Sequence, residues 1–209
     1  MTTPEVSVIR TGVANLASVV AGFERLGAHV HVKESADDAH RASFLVLPGV
    51  GAFGAGMKQL HDTGVVEALQ ERVALGRPTL AVCLGLQLLC DSSEESPDVR
   101  GLGVLPDRIK RFPPGLSVPQ MGWNQIAPDD RCRLLQPGYA YFANSYRLLE
   151  APAGWQVATA DYGGKFVAAL ERGAVLACQF HPELSSAWGQ SLLARWLQMP
   201  SGGGTDVGA

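Results

Sequence analysis

The first half of the chain repeats one pattern, in which a short apolar run is followed by a longer stretch with apolar residues every three or four positions. The short runs predict β-strands, and the longer stretches predict amphipathic helices. Predicted strands cover residues 6–9, 30–32, 44–47 and 79–82, and predicted helices cover residues 15–26, a stretch that ends at Gly76, and residues 84–90. Apolar strands that alternate with helices indicate a central, mostly parallel sheet flanked by helices, which is an α/β fold.

The pattern changes between residues 101 and 173, where short β-like segments are separated by turn residues. These segments, at 125–126, 139–142, 155–160 and 166–170, predict an additional antiparallel or mixed β region. An apolar strand at 175–180 and an amphipathic helix at 188–197 follow. We therefore predict one domain over residues 1–200 and a disordered, glycine-rich tail at 201–209.

Composition and charge narrow the classes of function. The chain has 209 residues, of which 46% are hydrophobic, so it can bury a sizeable core. Its net charge of −3, without a run of like charges, offers no binding surface for nucleic acid or an anionic membrane. No stretch has the pattern of a signal peptide or a membrane span, so we expect a cytoplasmic protein that acts on a small molecule or a protein partner.

The cysteines are four in number and widely spaced, at Cys83, Cys90, Cys132 and Cys178. They are too few and too scattered for a disulfide scaffold, and they lack the paired spacing of a zinc site. Each is therefore predicted to be a free thiol.

Cys83 stands where a predicted buried strand gives way to a helix. Its sulfur would face the unpaired N–H groups at the start of that helix, which favour a thiolate. Gly85 suits a sharp strand-to-helix turn, and the N–H of Leu84 would supply half of an oxyanion hole. A free cysteine is more often an inert core residue, so position alone leaves both interpretations open.

His181 and Glu183 flank Pro182 directly after the last predicted strand. In an extended segment residues i and i+2 share a face, so the two side chains would project together. A thiol needs a base such as histidine, and a carboxylate orients the imidazole. A surface turn without chemistry is the alternative. Because Cys83 and His181 both follow strands of one parallel sheet, they are expected at the same edge of it.

The loop at residues 48–54 matches the dinucleotide-binding pattern G-x-G-x-x-G. That pattern requires a following strand that ends in an acidic residue, whereas the next strand here ends at Cys83. We therefore do not favour nucleotide binding. The loop is instead predicted to complete the oxyanion hole with the backbone N–H groups of Val50 and Gly51.

Three segments together resemble the class I (triad-type) glutamine amidotransferases: L-P-G-V-G at 47–51, C-L-G-x-Q at 83–87 and Q-F-H-P-E at 179–183. The resemblance spans roughly residues 6–198 and implies the flavodoxin-like α/β fold of that class. It also implies the reaction, in which Cys83 attacks the side-chain amide of glutamine, ammonia leaves and water hydrolyses the thioester. His181 would be the base and Glu183 its orienting group. No metal or organic cofactor is implied.

Within that class, the segments 15–19, 119–124 and 141–146 are similar to the glutaminases of histidine biosynthesis. This similarity implies a heterodimer in which ammonia passes to a separate cyclase subunit. It implies two further sets of residues: Gly49, Gln87, Asn144, Ser145 and Tyr146 for glutamine, and Asn15, Met121 and Trp123 for docking the cyclase. Core packing is the alternative for Met121 and Trp123, and a helix N-cap is the alternative for Asn15.

Some positions depart from the pattern of the class. Ala81 replaces a glycine that usually precedes the nucleophile, and Leu184 replaces a lysine or arginine, which removes a charged contact to the cyclase. None of the departures removes a member of the triad. Three other functions stay open: a glutaminase for another synthase, of the anthranilate or pyridoxal phosphate type, a binding subunit without chemistry, and a nucleotide binder.

Overall fold

The computed structural model describes residues 3–11 and 16–200. Its strands are β1 (Glu5–Ile9), β2 (His29–Lys33), β3 (Phe44–Leu47), β4 (Thr79–Val82), β5 (Cys90–Ser93), β6 (Leu105–Arg111), β7 (Gln120–Pro128), β8 (Gly138–Asn144), β9 (Tyr146–Arg147), β10 (Gln156–Asp161), β11 (Lys165–Arg172) and β12 (Val175–Cys178). Its helices are α1 (Leu16–Glu24), α2 (Ala36–Arg41), α3 (Phe53–Asp62), α4 (Val66–Ala74), α5 (Leu84–Leu89) and α6 (Ser186–Leu197), with a 3-10 turn at Pro182–Leu184.

The main sheet has nine strands in the order β2-β1-β3-β4-β12-β11-β10-β7-β8. The first five are mutually parallel, and the last four continue the same sheet with antiparallel pairing. The predicted α/β fold is confirmed, and the predicted antiparallel region proves to be an extension of the central sheet. A smaller sheet, β5-β6-β9, and helix α2 were not predicted.

The core lies on both faces of the parallel strands, because successive side chains of a strand point to opposite faces. In β3, Val46 belongs to the apolar cluster that includes Phe23 of α1 and Trp196 of α6. Its neighbours Leu45 and Leu47 belong to the cluster on the other face, which includes side chains of α3, α4 and α5. Burial on both faces explains why the inner strands β3 and β12 carry no polar side, whereas the edge strand β2 carries His29, His31 and Lys33 on one side.

The pairing of β4 with β12 positions the candidate site. The two strands are adjacent and parallel, with Val82 opposite Cys178. The residues that follow each strand therefore emerge at the same edge of the sheet, which brings Cys83 close to His181.

Among residues 3–11 and 16–200, no helix is both long and apolar enough to cross a membrane. Asn15, predicted for docking, and the predicted tail at 201–209 lie outside the described residues.

Candidate active site

Cys83 occupies a sharp turn between β4 and α5. Its backbone has φ 53° and ψ −107°, and its N–H donates to the carbonyl oxygen of Cys178 at 2.7 Å. A Cβ atom on Gly85 would lie 2.1 Å from the carbonyl oxygen of Leu47, so only glycine fits there. The turn therefore has the geometry of a nucleophile elbow, with the cysteine at its tip.

His181 and Glu183 form a buried pair beside this cysteine. The imidazole Nδ1 lies 2.8 Å from Oε1 of Glu183, and the N–H of His181 donates to the carbonyl oxygen of Tyr141 at 2.9 Å. The predicted pairing of the two side chains holds, but the extended conformation from which it was argued does not. Pro182 begins a 3-10 turn, which suits its fixed φ, and the turn still brings the carboxylate to the imidazole.

The surroundings of His181 favour its protonated form. Burial on its own lowers the pKa of His181, because it disfavours the imidazolium. Hydrogen bonds and charge interactions with Cys83 and Glu183 together outweigh burial and raise the pKa of His181 to about 10. At neutral pH His181 therefore carries a positive charge beside the sulfur of Cys83.

A cavity of about 270 Å³ opens beside the cysteine. It is lined by Val50, Gly51, Cys83, Leu84, Gln87, Glu95, Ala143, Asn144, Ser145, Tyr146 and His181. The structure thus brings together around one cavity the predicted nucleophile, its predicted base and four of the five residues predicted to bind glutamine. Gly49, the fifth, instead lines a cavity of about 10 Å³ that also contacts His181 and Glu183.

The predicted oxyanion hole is not formed in this conformation. The N–H of Leu84 donates to the carbonyl oxygen of Gly49 at 3.2 Å, so it is not free to receive an oxyanion. In a planar trans peptide the next N–H points the opposite way, which turns the N–H of Val50 away from Leu84. Rotating the peptide group between Gly49 and Val50 would break the hydrogen bond to Leu84 and so free the N–H of Leu84. The same rotation would turn the N–H of Val50 towards Leu84.

Glu95 is a pocket residue that the sequence analysis missed. It lines the cavity, and its Oε2 accepts from the N–H of Phe53, the first residue of α3, at 2.6 Å. The next N–H, of Gly54, donates to Oγ of Ser96 at 3.1 Å. A carboxylate and a hydroxyl thus occupy the helix N-terminus where a dinucleotide phosphate would bind, which argues against the nucleotide function.

Aromatic and apolar side chains are exposed on one face of β7 and β8. Met121 is 68% exposed and Trp123 is 53% exposed, so the core-packing alternative is wrong for both. Tyr139 is also exposed, and the ring of Tyr141 packs edge-on against Trp123. We call these four residues the β7–β8 face. Such an apolar patch on a protein surface is typical of an interaction site.

No group of three or more His, Cys, Asp or Glu side chains in the described part of the chain is arranged to hold a metal ion. The four cysteines, all within that part, are free thiols.

A family model described as glutamine amidotransferase class-I matches residues 8–198. The chain therefore belongs to the class I glutamine amidotransferase family. A protein of Symbiobacterium thermophilum named imidazole glycerol phosphate synthase subunit HisH is 39% identical to it over 196 residues, with 92% of each chain covered.

A protein of the same name from Syntrophotalea carbinolica is 43% identical over 203 residues, covering 92% of this chain and 98% of the relative. A crystal structure of a glutamine amidotransferase, 22% identical, shares the fold with a TM-score of 0.73 over 92% of this chain and 96% of that one.

Proposed function

We propose that this chain is the glutaminase subunit of imidazole glycerol phosphate synthase and hydrolyses glutamine to glutamate and ammonia. The observation that carries the proposal is that Cys83 and His181 lie together at the wall of the 270 Å³ cavity, with Glu183 hydrogen-bonded to His181. The name shared by relatives at 39% and 43% identity supports the assignment to this synthase.

The proposed reaction uses the triad in two half-reactions. The Cys83 thiolate attacks the amide carbon of glutamine, and the His181 imidazolium gives its proton to the departing nitrogen, so that ammonia and a thioester form. The neutral imidazole then takes a proton from water, which attacks the thioester and releases glutamate. Glu183 keeps Nδ1 of the imidazole as a donor throughout.

The cavity wall offers groups for each end of the substrate. We assign the α-ammonium of glutamine to Glu95, because it is the carboxylate that faces the cavity beyond the triad. Gln87 and the segment of Asn144, Ser145 and Tyr146 supply amide and backbone groups for the remaining polar atoms.

We propose that the ammonia passes to a cyclase subunit, which uses it to form imidazole glycerol phosphate and an aminoimidazole carboxamide ribotide. The β7–β8 face fits such a partner, since exposed aromatic residues and methionine are enriched at protein interfaces. Leu184 directly follows Glu183 and is 39% exposed, so its contact with the partner would be apolar. Asn15, outside the described residues, stays a proposed contact.

We also propose that docking activates the site by rotating the 49–50 peptide. In the isolated chain the N–H of Leu84 donates to the carbonyl oxygen of Gly49, so it cannot also donate to the oxyanion of a tetrahedral intermediate. Gly51, with φ 102°, gives the adjoining loop a conformation that other residues rarely adopt. A partner that binds the rotated loop more tightly would switch on the chemistry.

The family match to residues 8–198 supports one amidotransferase domain over residues 1–200, with 201–209 outside it. We place the protein in the cytoplasm, because its four cysteines are free thiols, as is typical of proteins in a reducing compartment.

The deciding experiment measures glutamate production from glutamine by the purified chain, first alone and then with an imidazole glycerol phosphate synthase cyclase subunit and its ribotide substrate. We expect strong stimulation that Cys83→Ser abolishes. Stimulation only by an anthranilate or pyridoxal phosphate synthase would reassign the partner. No glutamate under any of these conditions would favour a binding subunit without chemistry.

A further inference from the structure

Gln179 is a fully buried polar residue at the end of β12 whose side chain points at the nucleophile. Its Nε2 lies 3.7 Å from Sγ of Cys83, within the range of a hydrogen bond to sulfur. Its Oε1 accepts from Nε2 of Gln87 at 3.0 Å. The residues on either side of it, Cys178 and Phe180, are apolar in character and equally buried, so the amide stands out in its surroundings.

The orientation of the Gln179 amide follows from a backbone group. Nε2 of Gln87 lies 3.3 Å from the carbonyl oxygen of Tyr146, which can only accept a hydrogen bond. The Gln87 group at this position is therefore the NH₂ end, and its second hydrogen is directed at Gln179. The Gln179 atom that meets it must be the oxygen, which leaves the Gln179 NH₂ group for the sulfur.

This arrangement gives the sulfur two donors of different kinds. His181 approaches it as a cation, and Gln179 approaches it as a neutral N–H donor. Hydrogen bonds to an ionised acceptor are stronger than those between neutral groups, so the amide contact stabilises the thiolate more than the thiol. Burying an amide is costly without such bonds, whereas an apolar side chain would fill the same space without that cost.

We propose that Gln179 is a catalytic residue, whose side-chain N–H donates to Sγ of Cys83 and raises the thiolate fraction. The same N–H holds the sulfur in the direction of the substrate amide and stabilises it again as the leaving group when the thioester is hydrolysed. The part of this proposal that concerns turnover rests on the proposed glutaminase function, whereas the part that concerns the thiolate does not.

The test is the rate at which iodoacetamide alkylates Cys83, measured between about pH 5 and pH 9 by mass spectrometry of the Cys83 peptide. Alkylation requires the thiolate but neither glutamine nor a partner, so its outcome is independent of the proposed function. The titratable side chains that face Cys83 are His181, with Glu183 behind it, and Glu95 and Tyr146 across the cavity, and the variants leave all of them intact.

Gln179→Met keeps the length of the side chain and removes the donor. We expect alkylation near pH 7 to fall by about tenfold, with the profile displaced to higher pH, and kcat for glutamine to fall more than KM changes. Gln70→Met is the matched control, because Gln70 makes one hydrogen bond to the carbonyl oxygen of Leu102, away from the site. It should leave the alkylation profile unchanged.

Gln179→Glu provides a second test if Gln179→Met does not fold. It keeps the oxygen that accepts from Gln87 and exchanges the donor for an oxygen, so alkylation near pH 8 should fall at least as far. A folded variant whose Cys83 profile matches that of the wild type would overturn the proposal. Absent glutaminase activity in the wild type even with the cyclase subunit and its ribotide substrate, with the alkylation shift present, would instead reject the proposed function alone.

Discussion

The backbone of Cys83 has a positive φ, a conformation that residues other than glycine rarely adopt. Such a conformation costs about 1–3 kcal/mol and persists only where the surroundings impose it. Here the hydrogen bond from Cys83 to Cys178 and the close approach of Gly85 to Leu47 impose it. As a result, the sulfur of Cys83 lies at the cavity, directly after the end of a buried strand.

The first prediction at this scale concerns the nucleophile itself. Cys83→Ser should lower glutamine hydrolysis by at least about a thousandfold, because serine oxygen is far less nucleophilic than a thiolate in this setting. Glutamate release in the presence of the cyclase subunit and its ribotide substrate is the measurement, with circular dichroism to verify the fold. Cys132→Ser changes a half-buried thiol outside the cavity and should keep wild-type turnover. Appreciable turnover by Cys83→Ser would reject the assignment.

The second prediction concerns pH. The pKa of His181 rises from its ordinary value of 6.5 to about 10 on folding. Below about pH 6.5 both states hold the proton and the full stabilisation is present, and it is lost progressively as the pH rises towards 10. The free energy of unfolding, measured by urea denaturation, should therefore decline across this window. Cys83→Ala removes one cause of the raised pKa, so its decline should be smaller, and an equal decline would contradict this account.

At the scale of elements, helix α1 supports the triad through a glycine. A Cβ on Gly22 would lie 3.2 Å from Cβ of Glu183, which is tighter than ordinary contact. Oε2 of Glu183 is buried and has no hydrogen-bond partner within the described residues, so packing must help to orient the carboxylate. This close approach explains a glycine inside a helix, where it is otherwise unfavourable.

Gly22→Ala should therefore lower kcat by roughly three- to tenfold, because it displaces the group that orients His181. Glu24→Ala is the control, since it changes an exposed side chain of the same helix. Steady-state kinetics of both variants decide the matter. Equal kcat values would mean that α1 can shift without disturbing the triad.

A second element-level contact joins β8 to the start of α6. Oγ of Ser185 accepts from the N–H of Tyr141 at 2.9 Å and donates to the carbonyl oxygen of His181 at 2.6 Å. Ser185→Ala would leave the half-buried N–H of Tyr141 without its acceptor, and the carbonyl oxygen of His181 would keep only its hydrogen bond from the N–H of Leu184. The unfolding free energy should therefore fall by about 1–3 kcal/mol. Ser191→Ala, which removes an exposed hydroxyl from the same helix, should change it by less than about 0.5 kcal/mol. Chemical denaturation separates the two.

The inner part of the parallel half follows from the sequence because its strands are apolar on both faces. The predicted strands at 44–47 and 79–82 coincide with β3 and β4. Strand β6 escaped prediction because Arg108, Lys110 and Arg111 give it a mostly polar, exposed pattern. Its apolar positions are too few to display a period of two.

Some parts of the candidate site could likewise be predicted from the sequence, and others could not. The proximity of Cys83 to His181 was predictable because each follows a strand of the parallel sheet, and the contact of His181 with Glu183 was predictable because they lie two positions apart. Glu95 carried no signal, because its role depends on a contact with Phe53, 42 positions earlier in the chain. The hydrogen bond from the N–H of Leu84 to the carbonyl oxygen of Gly49 was also unpredictable. No residue pattern determines the direction of a single peptide group next to a glycine.

At the scale of the whole molecule, the β7–β8 face lies at the end of the main sheet but connects directly to the site. The N–H of His181 donates to the carbonyl oxygen of Tyr141, whose ring packs against Trp123. A partner that covers Trp123 would therefore contact a strand that is hydrogen-bonded to His181, the proposed catalytic base.

Trp123→Ala should weaken association with the cyclase by at least about thirtyfold, as expected for a central aromatic residue of an interface. Leu75→Ala, which alters an apolar side chain that is 57% exposed elsewhere on the surface, should leave the affinity unchanged. Titration calorimetry with the cyclase subunit measures both. Equal affinities for the two variants would show that the partner docks on another face.

The Gly49 carbonyl that occupies the N–H of Leu84 has a consequence for the cell. Under the proposed function, a chain without its partner holds a reactive thiol but cannot stabilise the oxyanion, so it leaves glutamine largely untouched. The two subunits then need not be synthesised in strict proportion. Surplus copies of this chain without a partner would then consume little glutamine.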